Sequence, residues 1–310
     1  MKTATRLQSV KEYYFSRKLR EVAAMIKEGK PVINMGIGSP DLEPHPEVVR
    51  ALNEAMQHPK AHMYQSYQGL PELRKAISDF YKTHYEVTLD PNSEILPLMG
   101  SKEGIMHLSM AYLNPGDQVL IPNPGYPTYA SVTRLMEAEA VVYDLKATHG
   151  WQPVFEALEA LDTSKVKIMW LNYPHMPTGT DVSLVAFDRL IGWAKERDIL
   201  LVNDNPYSFV LTEKPQSLLS RPGAKDVAVE LNSLSKSFNM AGWRVGMLSG
   251  KADVLQETLK VKSNMDSGMF FGVQQGAIAA LKMTPDWFAE LNSIYKKRSA
   301  LMRVLAQKLG

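Results

Sequence analysis

The 310-residue sequence contains no cysteine. It therefore cannot form a disulfide or a thiolate metal site, and it is compatible with the cytoplasm, which is the location we predict. Its seven histidines show no metal-ligand spacing, because Pro59 separates His58 from His62 and disfavours a helix that would join them. We accordingly predict no metal site.

Long hydrophobic runs are also missing. No stretch approaches the roughly 18 apolar residues that span a bilayer, and the first residues show no apolar core typical of a secretory signal. The net charge is only +2, and the basic aromatic segment KEYYFSRKLR (residues 11–20) is short and fits a solvated helix face. The sequence predicts neither a membrane partner nor a nucleic-acid partner.

Short apolar runs do occur, and they alternate with amphipathic stretches. Helical periodicity is clear at 102–113 and 184–198, and a further helix is predicted to begin at Thr284-Pro285. This alternation predicts an α/β fold with a largely parallel sheet covered by helices. The predicted strands are 94–99, 118–122, 140–145, 166–174, 199–207 and 227–233.

The segment SLSKSFNMAGWRVG, residues 233–246, carries the strongest chemical pattern. It follows an apolar strand and places Lys236 at a strand end, where open α/β sheets bind ligands. A nearby cation such as Arg244 lowers the pKa of a lysine, which a nucleophilic amine needs, and arginine also binds phosphate well. A lone lysine at such a position would more simply be an exposed turn residue.

Two weaker patterns lie at other strand ends. Asp204, in the segment VNDNPY, ends an apolar run where a carboxylate is costly without a charged partner, although a turn or helix cap would suit it equally well. The turn MGSKEG, residues 99–104, places a glycine before a helix whose first N–H groups can bind an anion. Many strand–helix turns share that second pattern.

Together these motifs resemble the class I/II pyridoxal-phosphate-dependent aminotransferases of the aspartate aminotransferase superfamily, and the resemblance extends over most of the chain. The Gly-Trp-Arg sequence at 242–244 is its most characteristic element. The resemblance implies fold type I, with a mixed, mostly parallel sheet of seven strands between helices. It also implies pyridoxal 5'-phosphate as cofactor, held as a Schiff base on Lys236.

The resemblance also implies how the cofactor ring would be held. Asp204 would face the pyridine nitrogen, Tyr207 would bind the 3-hydroxyl oxygen, and Tyr126 would stack on the ring. Met176 stands where the family usually has an asparagine, and methionine cannot donate that hydrogen bond. Asn172, four residues earlier, keeps a polar amide near that position.

The remaining matched residues concern the phosphate and the substrate. The resemblance implies a homodimer in which Tyr64 reaches the phosphate of the partner subunit, and it places Gly38 near the substrate carboxylate. Lys236, Asp204 and Tyr207 would be the catalytic residues. The phosphate would be bound by Ser101, Lys102, Ser233 and Arg244.

The resemblance further implies three parts of the chain. Residues 1–45 would be an N-terminal arm with part of the small domain, 46–283 the large cofactor-binding domain, and 284–310 a linking helix at the start of the C-terminal small domain. No arginine matches the family's α-carboxylate arginine, so we expect a small domain that is incomplete and a chain that transaminates poorly alone. The stretch 262–268 also lacks arginine, which disfavours strict aspartate specificity.

The predicted function is transfer of an amino group between an amino acid and a 2-oxo acid, with the freed Lys236 amine acting as general base. Two alternatives stay open. A pyridoxal-phosphate-dependent β-lyase or decarboxylase on the same fold would share Lys236 and Asp204, although the Gly-Trp-Arg context favours transfer. A non-catalytic cofactor-binding module would account for Met176 and the unmatched arginine.

Overall fold

A computed structural model describes residues 1–10, 12–36 and 38–310, and the elements within these residues alternate as the sequence predicts. The strands are β1 Ile95–Leu98, β2 Gln118–Asn123, β3 Glu139–Asp144, β4 Val166–Leu171, β5 Leu200–Asp204, β6 Ala228–Ser233 and β7 Gly246–Gly250. The α-helices are α1 Tyr14–Lys27, α2 Pro46–Ala55, α3 Pro71–Tyr85, α4 Ser101–Tyr112, α5 Pro127–Leu135, α6 Phe155–Glu159, α7 Leu184–Glu196, α8 Ala224–Val227, α9 Leu234–Ser237, α10 Ala252–Lys262, α11 Phe271–Leu281 and α12 Pro285–Leu309.

The seven strands form one sheet in the order β1-β7-β6-β5-β4-β2-β3. Strands β2 to β6 pair in parallel, whereas β7 is antiparallel to both of its neighbours, β1 and β6. This topology confirms the predicted α/β class with a mixed, mostly parallel seven-stranded sheet. Because β7 is the reversed strand, the carboxyl ends of the other six lie at the same edge of the sheet.

Helices cover both faces of the sheet, which explains why the central strands are apolar at consecutive positions. Val119 and Ile121 of β2 face the layer that contains α4, α5 and α10. Leu120, between them, faces the opposite layer, which contains α3, α7 and α11. The alternation of side chains along each strand thus builds two separate hydrophobic cores.

Helix α4 lies very close to the sheet because a glycine faces it. A Cβ atom at Gly104 would come within 2.4 Å of Leu231 Cδ2 on β6 and 2.7 Å of Leu98 Cδ1 on β1. No side chain could occupy that position without displacing these leucines. The close approach places the N-terminus of α4 at the carboxyl edge of the sheet.

The first and last α-helices contribute less to the core. Helix α1 has no buried residue, as expected for a solvated basic face. Helix α12 begins at Pro285, as predicted; it buries Phe288 and Leu291 but leaves Leu301 and Leu309 exposed. None of the helices in residues 1–10, 12–36 and 38–310 is long and apolar enough to cross a membrane.

Candidate active site

Side chains from the carboxyl edge of the sheet line a cavity of about 240 Å³. They come from the ends of β1, β2, β4, β5 and β6, and from the turn that leads into β7. Nine of the predicted site residues line this cavity; Gly38 and Tyr64 are the other two. The lining residues are Ser101, Lys102, Tyr126, Asn172, Met176, Asp204, Pro206, Tyr207, Ser233, Ser235, Lys236, Ala241 and Arg244.

Lys236 lies on the short helix α9, immediately after β6. Ser233 begins this helix, since its hydroxyl oxygen accepts a hydrogen bond of 3.1 Å from the Ser235 backbone N–H. The Lys236 Nζ atom donates a hydrogen bond of 2.8 Å to the backbone oxygen of Gly38. Burial lowers the pKa of Lys236, and the nearby Arg244 cation lowers it further. Both effects shift the balance towards the neutral amine, which is the nucleophilic form.

Arg244 and the N-terminus of α4 form an anion-binding corner. Gly100 precedes α4 with φ of 90°, and a Cβ atom there would come within 2.1 Å of Arg244 Nη2. The guanidinium thus packs against a bare Cα, and its Nη1 donates a hydrogen bond of 2.8 Å to Ala241 O. The backbone N–H groups that begin α4 and a neighbouring guanidinium together suit a phosphate.

A tyrosine from the N-terminal segment approaches the same corner. Lys102 Nζ lies 4.4 Å from the centroid of the Tyr13 ring, a distance typical of a cation–π contact. Burial is the main cause that raises the pKa of Tyr13 to about 12, and Tyr126 adds to it. Tyr13 therefore brings the N-terminal segment to the rim of the cavity.

Asp204 ends β5 and is only 5% exposed. The Tyr129 hydroxyl donates a hydrogen bond of 2.9 Å to Asp204 Oδ2. Within the described residues, Oδ1 is buried and accepts no hydrogen bond. Burial raises the pKa of Asp204 to about 7. An acceptor left in this state needs a donor from a ligand, because a buried polar atom without a partner is costly.

Two further polar groups flank Asp204. Asn172, directly after β4, donates a hydrogen bond of 2.6 Å from Nδ2 to Asp204 O and accepts one of 3.1 Å from the Met176 N–H. Its amide nitrogen has two hydrogens, and within the residues that the structure describes only one of them is donated, which leaves the other for a ligand. Burial raises the pKa of Tyr207 to about 12, and Asp204 and Tyr126 raise it further, so its hydroxyl keeps its proton as a donor.

The cavity thus combines a lysine of lowered pKa, an anion-binding corner and a buried carboxylate, one oxygen of which has no partner in the described part of the chain. The sequence profile of a family described as aminotransferase class I and II matches residues 30–310. The chain belongs to this aminotransferase family. It is a pyridoxal-phosphate-dependent aminotransferase, which confirms the family, enzyme class and cofactor that the sequence motifs predict.

Comparison with known proteins supports this assignment along the whole chain. The LL-diaminopimelate aminotransferase of Aquifex aeolicus is 39% identical over 98% of this chain and 79% of its own length. The Halothermothrix orenii protein of the same name is 38% identical over 100% of this chain and 80% of its own length. A Bacillus subtilis structure described as apo-BacF superposes with a TM-score of 0.95, at 38% identity, over 99% of this chain and 79% of its own.

Two predicted site residues of this aminotransferase lie outside the cavity lining. Tyr64 is 91% exposed in the connection between α2 and α3. Gly38 belongs to the segment that approaches Lys236 through its backbone oxygen; its neighbour Ile37 is outside the described residues. The single chain therefore brings Gly38, but not Tyr64, to the lysine.

Sequence reasoning missed three residues of the aminotransferase site. Tyr129 lies in the same short segment as Tyr126. Its role depends on a contact with Asp204, which is 75 positions away in the sequence, so the local pattern does not indicate it. Ser235 receives a hydrogen bond of 2.9 Å from the Ser233 hydroxyl and lines the anion corner. Nothing in the local pattern around Tyr13 indicates its approach to Lys102.

Proposed function

We propose that this aminotransferase carries out amino-group transfer in the cavity at the carboxyl edge of its sheet. One observation carries the proposal: one cavity is lined by a lysine of lowered pKa, an anion-binding corner and a carboxylate with an oxygen that has no partner among the described residues. Pyridoxal phosphate has a group to match each of them. Its carbonyl matches the lysine, its phosphate matches the anion-binding corner, and its ring nitrogen matches the carboxylate oxygen.

The donor and acceptor groups of the cavity fit pyridoxal phosphate. Asp204 Oδ1 is the acceptor for the ring nitrogen, and its negative charge favours a protonated ring. The phosphate is held by Arg244, Ser101, Lys102, Ser233 and the first N–H groups of α4. When bound, the cofactor supplies a reactive carbonyl and a ring that accepts electrons.

The other ring contacts follow from the same arrangement. Tyr126 offers its aromatic face to the ring, and the protonated Tyr207 hydroxyl donates to the ring oxygen. The free N–H of Asn172 is a second donor on that side. Asn172 accepts a hydrogen bond from the Met176 N–H and so lies next to that position, and we assign to it the donor role that the Met176 side chain cannot fill.

Lys236 has two tasks in this proposal. Its Nζ, held beside Gly38 O, would bond to the cofactor carbonyl with loss of water; once the amino group of the substrate has displaced it, the free amine would accept the proton from Cα of the amino acid. Burial and the Arg244 charge lower the pKa of the amine, which favours the deprotonated form that both tasks require. Gly38 then lies close to the substrate, because its backbone oxygen contacts the same amine.

We also propose a cytoplasmic homodimer. Tyr64 is exposed in the single chain, as are its neighbour Met63 and the nearby Tyr67. The loop at Met265 and Gly268 packs close by, since a Cβ atom at Gly268 would come within 2.5 Å of the Gln65 backbone oxygen. A second copy would cover these apolar side chains and receive Tyr64 at its phosphate corner.

The proposed amino donor is LL-diaminopimelate. Curated relatives that are 36–39% identical carry that substrate in their names. The stretch 262–268 contains no arginine, which argues against strict aspartate specificity. A 2-oxo acid is the acceptor.

A coupled assay tests this function. The protein is incubated with LL-diaminopimelate, aspartate or aromatic amino acids, each with and without 2-oxo acids. We expect amino transfer from LL-diaminopimelate only when an acceptor is present, and its loss in Lys236→Ala but not in Lys251→Ala, a control at a partly exposed lysine that does not line the cavity. Turnover without an acceptor would indicate a lyase or decarboxylase, and another preferred donor would overturn the substrate proposal.

A further inference from the structure

Tyr129 is a buried phenol beneath the cavity that has no place in the mechanism above. Its side chain is 1% exposed, and its hydroxyl donates a hydrogen bond of 2.9 Å to Asp204 Oδ2. It lies one turn of α5 after Tyr126, and the two rings meet edge to face at 5.6 Å. Helix α5 therefore presents one tyrosine to the cavity and the next to the carboxylate behind it.

Packing fixes the orientation of this phenol. The Tyr129 ring stacks on Trp170 with centroids 4.9 Å apart and planes 6° apart. The Tyr143 hydroxyl in turn donates a hydrogen bond of 2.6 Å to the Trp170 backbone oxygen. Since Trp170 is fully buried on β4, the Tyr129 hydroxyl cannot swing away from Asp204 without breaking this stack.

The contact makes the two oxygens of Asp204 unequal. Oδ2 is satisfied from inside the protein, whereas Oδ1 is buried and has no hydrogen-bond partner among the described residues, and Asp204 itself lines the cavity. A hydrogen bond donated to a carboxylate favours its ionised form. Tyr129 therefore fixes the orientation of this side chain and favours its ionised form, against the burial that raises its pKa.

We propose that Tyr129 is a positioning residue that holds Asp204 through Oδ2 so that an ionised Oδ1 faces the ring nitrogen of the cofactor. The inference deepens the proposed function and rests on the role assigned there to Asp204. Two other titratable groups interact with Asp204: Glu230 from β6, whose charge raises the pKa of Asp204, and Tyr207 from the cavity, whose own pKa Asp204 raises. Glu230 opposes ionisation of Asp204, so the Tyr129 hydrogen bond works against it.

The first test titrates Asp204 without cofactor. Carbon-13 NMR of labelled carboxyl groups, with Asp204→Asn to assign the signal, gives its midpoint in the apoprotein. In Tyr129→Phe we expect the midpoint to rise by about one pH unit, a tenfold change in the ionisation constant. Tyr143→Phe is the matched control, because it removes a buried hydroxyl that contacts Trp170 and not Asp204. The midpoint of Asp204 should not move in this variant.

A second variant covers the case in which Tyr129→Phe fails to fold. With 3-fluorotyrosine at position 129, the hydroxyl becomes a stronger donor, and the midpoint should fall instead of rise. A purely structural role predicts no such opposite shifts. An unmoved midpoint with the fluorinated side chain would overturn the proposal.

A double-mutant cycle on cofactor affinity completes the test. Tyr129→Phe should weaken pyridoxal phosphate binding about tenfold in the wild-type background and hardly at all in Asp204→Asn. Equal losses in both backgrounds would show that Tyr129 does not act through Asp204. Absence of cofactor binding by the wild type would contradict the proposed function. The titration of Asp204 in the apoprotein needs no cofactor, so it tests the role of Tyr129 independently.

Discussion

Asp204 is a carboxylate that the fold buries with one oxygen left for a ligand. Burial raises its pKa to about 7, so the apoprotein holds a proton that an unfolded chain would have lost. Lys236 shows the converse effect, since burial and Arg244 lower its pKa. Burying the charged forms of both groups costs stability in the apoprotein, and a bound cofactor would provide the partners that they lack.

Replacing Asp204 by asparagine should therefore stabilise the apoprotein at alkaline pH. Between about pH 4 and pH 7 the folded state binds more protons than the unfolded state, so the wild-type free energy of unfolding falls as pH rises. The gain in Asp204→Asn should reach about 4 kcal/mol above pH 7 and vanish below pH 4. Urea unfolding at several pH values measures it, and a gain that is independent of pH would contradict the account.

Gly100 offers a second test at single-residue scale. Gly100→Ala should weaken cofactor binding at least tenfold, because its Cβ would displace the Arg244 guanidinium. Gly116→Ala is the matched control: it has nearly the same φ, 88°, but open space around the new methyl group. Both variants should lose about 1–3 kcal/mol of stability from backbone strain. Equal cofactor affinity in the two variants, measured by fluorescence titration, would refute the role of Gly100.

The sequence predicts site residues well where the chemistry lies within one motif. Lys236 and Arg244 share one segment after one strand, so their meeting at the cavity follows from local order. Tyr129 and Tyr13 could not be predicted in this way, because each acts through a contact that only the tertiary fold creates. Asn172 is an intermediate case. The sequence predicts a polar amide near Met176, but it does not predict the hydrogen bond from that amide to the Asp204 backbone oxygen.

At the scale of elements, strong apolar runs predicted six strands, and all six occur. Strand β7, with the sequence GMLSG, was not predicted from its pattern, because its two glycines and one serine have low strand propensity. It forms because β1 and β6 pair with it on both sides. Gly246, at its start, is required there, since a Cβ atom would come within 2.6 Å of the Ser101 backbone nitrogen.

The close contact of α4 with the sheet gives a prediction at this scale. Gly104→Ala should lower the free energy of unfolding by about 1–3 kcal/mol, because the methyl group overpacks against Leu231 and Leu98. Gly192→Ala, on the exposed face of α7, meets nothing within 4 Å and should raise it by up to about 1 kcal/mol through helix propensity. Urea unfolding compares the two, and a gain in both variants would contradict the tight packing of α4.

At the scale of the whole molecule, six of the seven strands run in the same direction and only β7 is reversed, so six carboxyl ends lie at the same edge of the sheet. That topology explains how residues as distant as Ser101 and Arg244 reach one cavity. The division into an arm at 1–45, a large domain at 46–283 and a linking helix at 284–310 stays a prediction. The homodimer, in which Tyr64 would reach the phosphate corner of the partner subunit, also stays a prediction.

Subunit mixing tests that dimer. Tyr64→Ala and Lys236→Ala homodimers should each bind cofactor poorly or without the covalent link. After the two proteins are unfolded and refolded together, about a quarter of the sites should have an intact lysine and an intact partner tyrosine. Absorbance of bound cofactor and amino transfer should recover accordingly. No recovery in a mixture that does form dimers would place Tyr64 outside the site.

The most direct measurement identifies the lysine that holds the cofactor. Pyridoxal phosphate is added to the protein, the adduct is reduced with borohydride, and the labelled peptide is sequenced by mass spectrometry. We predict one label per chain, on Lys236, and none in Lys236→Ala. A label on Lys102, the other lysine that lines the cavity, or on any lysine elsewhere, would contradict the central claim.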